Sequence, residues 1–182
     1  MAKEKAPKYC LSLWQPWAML WALGEKQFET RHWDLPESMI GQEVFIHAAQ
    51  RWTESERWLC SMPIFREAFL RHSEIVGENV DDQIGVTYRM VDVGQGQYIK
   101  FPFGCLVGRV RLVRSVSTNA PQSFFNLTAN PAKERAFGNY DPGRFAWIGE
   151  KHKVLPQFIP LIGNQRFFRA PVQPEALEVQ HA

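Results

Sequence analysis

Gly24-Glu25-Lys26-Gln27-Phe28-Glu29-Thr30-Arg31 joins a turn to an alternating strand. Upstream, Leu13 to Leu23 is an aromatic-rich turn running into a short apolar helix, and Gly24 supplies the left-handed residue that ends helices at little steric cost. Downstream, Gln27, Glu29 and Arg31 alternate with Phe28 and Thr30, and successive side chains of a strand face opposite ways. Glu29 and Arg31 therefore share a polar face while Phe28 turns to the core. Lys26 sits at the helix-to-strand junction, outside that alternation, and is free to lean over Glu29. Taken alone, Glu29 and Arg31 read equally as a solvated surface pair contributing at most ~1 kcal/mol.

Working outward, Val44 to Ala48 has the β-branched content of a strand, with Phe45 and His47 on one face and His47 a candidate to look into a cleft. Thr53-Glu54-Ser55-Glu56 carries a capping box, so a helix starts there; Pro63 breaks or restarts it, and Ile64 to Leu70 follows with helical spacing. An exposed apolar patch on Phe65 and Phe69 would mark a protein-interaction adaptor. Between Asn79 and Gln97 the chain makes a long excursion, expected to hold a hairpin through Ile84 to Val93. Cys105 to Arg114 alternates, with Leu106, Val110 and Leu112 inward and Arg109 and Arg111 outward together. Two arginines on one strand face suit two backbone phosphates, or keep an exposed strand soluble. Phe145 to Ile148 is a further strand, entered through an Asp-Pro-Gly turn.

With 182 residues, 45% hydrophobic and 22% charged, the chain suits one domain, placed at 10–169, with loose ends at 1–9 and 170–182. A net charge of +2 disfavours coating long nucleic acids by charge alone. No run approaches the ~20 apolar residues of a membrane span, and the first residues lack an apolar signal core, so a soluble cytoplasmic protein is expected. The three cysteines are widely spaced, which suits reduced thiols. No metal or cofactor is expected, because His, Cys and carboxylates do not cluster at ligand spacings.

Leu11-Ser12-Leu13-Trp14-Gln15-Pro16-Trp17, then Gly24-x-Lys26-x-x-Glu29-x-Arg31, then Gly41 before Val44 to Ala49, resembles the ASCH domain, a relative of PUA domains. Phe101 to Val110 and Tyr140 to Ile148 fit the same pattern, so the likeness spans about residues 10 to 169, apart from the insert between His47 and Phe101. The resemblance implies an α+β fold, a PUA-like twisted β-barrel flanked by helices, with a cleft for a nucleotide or a single RNA strand. It puts the turn of Trp14 and Gln15 over that cleft. Some relatives are proposed RNA-binding modules, one bacterial group hydrolyses the amide of an acetylated cytidine, and at least one is described as a ribonuclease. Where the amidohydrolase group has a threonine three residues after the lysine, this chain has Glu29, and Cys105 to Val116 holds no carboxylate.

Two functional classes follow. As a binding module, the cleft takes RNA, a nucleotide or a nucleoside: Lys26 and Arg31 hold phosphate or carbonyl oxygens, Glu29 pairs with Arg31 or accepts from a base amine, and Trp14 stacks at ~1–3 kcal/mol. Gln15, His47, Arg109 and Arg111 complete the candidate contacts. As an enzyme, the chain would be a metal-independent hydrolase of nucleosides or RNA, with Lys26 and Glu29 as the compact catalytic pair.

Overall fold

A parallel strand pair organises the molecule. In the computed structural model, which describes residues 7–120 and 125–170, β1 (Tyr9–Leu13) runs beside β3 (Glu43–Ala48). Parallel neighbours need a crossover. It contains α1 (Trp17–Ala22), β2 (Phe28–Arg31) and a single 3₁₀ turn at Glu37–Met39. From Ala18 to Ala22 every residue of α1 is buried, as expected for a helix that is apolar all round. Its end is closed by the octapeptide itself: Gly24, at φ +72°, donates to the Trp21 carbonyl at 3.2 Å and Lys26 N–H to that of Leu20 at 3.1 Å.

After β3 come the insert, the long β6 (Cys105–Ser117), β7 (Phe145–Pro160) and β8 (Phe167–Arg169), giving a six-stranded sheet in the order β2-β7-β6-β3-β1-β8. The sheet curls into a half-barrel flanked by helices, the α+β class expected. Aromatic rings bridge its two edges where the ladder does not. Phe167 on β8 stacks on Trp147 of β7 at 5.5 Å, and Trp33, just past β2, meets both edge-on at 5.7 and 4.5 Å.

The insert is α2 (Glu54–Ser61), α3 (Pro63–Leu70), α4 (Ser73–Val76) and a hairpin of β4 (Thr87–Gly94) and β5 (Gln97–Phe103). Both halves of the capping box at Thr53 form, and Pro63 opens α3 at a position whose N–H would be unpaired anyway. The hairpin lies later than expected because Gly94-Gln95-Gly96, with positive φ throughout, is its turn and not its end. Phe65 and Phe69 are buried in the core, which counts against the adaptor reading. A further helix, α5 (Pro131–Phe137), is not among the expected elements; it starts at Asn130, whose side chain accepts from Lys133 N–H at 3.0 Å.

The N-terminal boundary moves: Tyr9 already pairs with Arg169, and the Lys8 carbonyl accepts from Ala170 N–H at 3.1 Å. The expected loose ends at 1–6 and 171–182 lie outside the described residues. Among the described residues no helix is long and apolar enough to cross a membrane, and no three His, Cys, Asp or Glu side chains converge.

Candidate functional site

Lys26, Glu29 and Arg31 form one chain of charge. Lys26 Nζ lies 3.0 Å from Glu29 Oε2 and also donates to the Phe28 carbonyl, while Arg31 Nε stands 3.0 Å from Glu29 Oε1. Lys26 is only 1% exposed, so this is a buried ammonium whose neutralisation rests on the Glu29 carboxylate. Arg31 donates from Nη2 to the Ser12 carbonyl at 3.0 Å, which ties β2 to β1 across the crossover. The alternation read from the sequence holds: Glu29 and Arg31 share a face, Phe28 is in the core, and Lys26 leans over Glu29.

The three line a cavity of about 370 Å³, with Trp14 and Trp17 on one side and Phe137, Asn139 and Arg144 on another. That size falls near the lower end of ~300–1,000 Å³ for small-molecule sites. Arg144 fixes the far wall by donating to the Asn139 carbonyl at 3.1 Å and to the Thr30 carbonyl at 3.2 Å. Behind the lysine stands Glu134 of α5, whose carboxylate accepts from Gln27 N–H at 2.5 Å, Phe28 N–H at 3.3 Å and the Tyr140 hydroxyl at 3.1 Å. Burial first, and the Glu134 carboxylate next, push the Tyr140 phenol up from its ordinary value.

Of the other residues singled out from sequence, Trp14 is at the mouth, 42% exposed, with the Arg51 guanidinium 3.6 Å above its ring. Gln15 is not a cleft residue. It is fully buried, accepting from Met19 N–H at 3.1 Å and donating to the Pro102 carbonyl at 2.9 Å, so its amide is spent on holding the turn. Arg109 and Arg111 do not join the site either: Arg109 pairs with Glu43 at 3.2 Å and Arg111 donates to the Gly41 carbonyl at 3.3 Å, beside β3. The strand alternation placed them outward together, and neither lines the cavity around Lys26.

His47 lines a second, larger chamber of about 1240 Å³ together with Trp33, Leu161, Ile162 and Arg166. Ser12, Trp14, Arg31 and His32 border both chambers, so the two hollows adjoin as lobes on either side of these residues. Neither Glu134 nor Arg144 was found by sequence reasoning. Asn130-Pro131 was the available signal for the helix carrying Glu134.

No family model and no curated protein matches the chain. Among the solved structures that it resembles are three ASCH structures. It is similar to the crystal structure of ASCH from Zymomonas mobilis at 14% identity, covering 92% of this chain and 88% of that one, with a TM-score of 0.45. Crystal structures of two mutants of the same Zymomonas mobilis protein are similar too, each at 14% identity over 86% of this chain and over 77% and 78% of theirs, with TM-scores of 0.42 and 0.41.

Next to the lysine, Glu25 gathers two cations and an imidazole: Arg71 Nη2 at 2.7 Å, His72 Nε2 at 2.9 Å, and Lys133. Burial alone would raise its pKa, but hydrogen bonds from Arg71, Lys133 and His72 outweigh it and hold the carboxyl at about 2. A carboxyl depressed in the folded state contributes stability above its unfolded value of 4.5, and that contribution fades as pH falls toward 2. Because Arg71 is half exposed, screening leaves the cluster worth on the order of 1–2 kcal/mol. Glu25→Gln is therefore expected to lower stability by about that amount at pH 7 and to flatten the acid loss between pH 4.5 and 2, read by urea unfolding across pH.

Proposed function

We propose that the Lys26 lobe binds a nucleotide or a few unpaired RNA nucleotides. The observation that carries this reading is the charge chain itself. Two cations flank one buried carboxylate, so the assembly keeps a net positive charge inside a nucleoside-sized hollow with tryptophans at its mouth. One N–H of Lys26 and the remaining guanidinium N–H groups of Arg31 are available for phosphate or carbonyl oxygens. The Arg51 guanidinium covers one face of the Trp14 ring, and the opposite face is the one proposed for a base. Because Glu29 is held from both sides by Lys26 and Arg31, this arrangement favours positioning a guest over hydrolysing it. Hydrolysis of a modified nucleoside or of RNA is the alternative.

Titration with nucleoside monophosphates and short single-stranded RNA is expected to show saturable binding. Each phosphate held should contribute about −0.7 to the slope of log affinity against log salt. Trp14→Ala, at a half-exposed position, is expected to weaken binding about 5- to 150-fold with little change in stability, from the ~1–3 kcal/mol of a lost base stack. Absence of millimolar binding across the panel would remove this reading.

A further inference from the structure

The parallel register of β1 and β3 sets Ser12 directly opposite His47, and the pairing of β3 with β6 shifts between Ile46 and His47. Ser12 Oγ lies 3.0 Å from His47 Nδ1, and His47 Nε2 lies 2.9 Å from the Leu161 carbonyl. A carbonyl only accepts, so Nε2 carries the ring proton and donates it. Burial holds the His47 pKa below its ordinary value, which keeps the ring neutral and leaves Nδ1 as a lone pair. Ser12 O–H must then be the donor. A hydroxyl donating to an imidazole that a third group orients is the arrangement of an activated nucleophile.

Two further features frame the pair. Gly163 passes so close that a Cβ there would meet His47 Cε1, would lie 2.6 Å from His47 Nδ1 and 2.9 Å from Ser12 Oγ; only glycine lets the segment after Leu161 cover the imidazole. Ser12 itself is half-buried and stands on the wall common to both lobes, where Arg31 donates to its carbonyl. Pro160, Leu161 and Ile162 give the larger lobe an apolar side, while the smaller one is cationic.

We propose that Ser12 and His47 are a nucleophile and general base for acyl transfer from a carboxylic ester. The acyl group lies in the larger lobe and a polar or anionic alcohol lies toward Lys26. Ser12 Oγ attacks the ester carbon while its proton passes to His47 Nδ1, and the Arg31 guanidinium faces the oxyanion. Collapse breaks the bond to the alcohol oxygen, which takes the proton from Nδ1, and the acyl group stays on Ser12. Water then attacks the acyl-serine, gives its proton to Nδ1, and Ser12 Oγ leaves and recovers that proton, releasing the acid. This assignment shares Arg31 and the Lys26 lobe with the proposed nucleotide site but does not require a nucleotide to bind there.

An alkyl fluorophosphonate tests it on the 182-residue chain: the serine oxygen displaces fluoride, leaving one stable adduct visible by intact mass and peptide mapping. One adduct, on Ser12, is expected, absent in Ser12→Ala and formed at least 100-fold more slowly in His47→Gln. p-Nitrophenyl butyrate should show a burst equal to the protein concentration. Ser12→Cys gives a second readout, because the three native cysteines are buried: iodoacetamide should alkylate the introduced thiol faster with His47 present than in the His47→Gln background. No adduct on Ser12 of the folded parent protein, or labelling at the parent rate in folded His47→Gln, would overturn the assignment.

Discussion

Glu29→Ala is expected to destabilise the protein by about 3–5 kcal/mol, the range for breaking a buried ion pair by removing one partner. The physical reason is what remains. Lys26, 1% exposed, keeps its contact to the Phe28 carbonyl but loses its carboxylate partner, leaving a buried charge without a counter-charge. Arg31, on the same carboxylate, is better solvated and suffers less. Urea unfolding reads the loss as a lower midpoint. The pair Lys26→Met with Glu29→Leu should regain much of that stability, since apolar replacement of a buried pair is often close to neutral, yet it should bind no nucleotide. A Glu29→Ala protein within about 1 kcal/mol of the parent would mean that Lys26 finds water, and the buried charge chain would not exist in solution.

Glu134→Ala should have an effect of similar size by a different route. Its carboxylate accepts from two backbone N–H groups at the start of β2 and from a largely buried phenol. Each buried donor left without a partner costs ~1–3 kcal/mol, so a total of about 3–4 kcal/mol is expected. Gln27 and Phe28 should also exchange their amide hydrogens faster, because this helix side chain is what holds them. Amide exchange separates this from generic loss of packing: protection at Gln27 and Phe28 unchanged relative to the rest of β2 would sink the assignment.

Local pattern made part of this legible. The helix end at Gly24, the strand alternation of Glu29 and Arg31, the capping box at Thr53 and the inward face of β6 are all short-range rules, and each appears in the fold. What the sequence did not disclose depends on contacts far apart in the chain. Glu134 meets Gln27 across 107 positions, and nothing near either residue announces the other. Gln15 looked like a cleft residue because it stands beside Trp14, but its amide is drawn inward by the Pro102 carbonyl 87 positions away. Arg109 and Arg111 have the right chemistry on the wrong side, since alternation tells which residues share a face and not what that face meets. His47 lines the second chamber and not the cavity around Lys26, and its meeting with Ser12 required the parallel pairing of β1 with β3.

The boundary formed by Ser12, Trp14, Arg31 and His32 belongs to two hollows at once. A residue there has no private neighbour: trimming the indole at position 14 widens both rooms, and moving the guanidinium at 31 changes the charge seen from each. Selection acting on one lobe through this partition therefore alters the other, and independent tuning has to come from the outer surfaces, Asn139 and Arg144 on one flank, Ile162 and Arg166 on the opposite one.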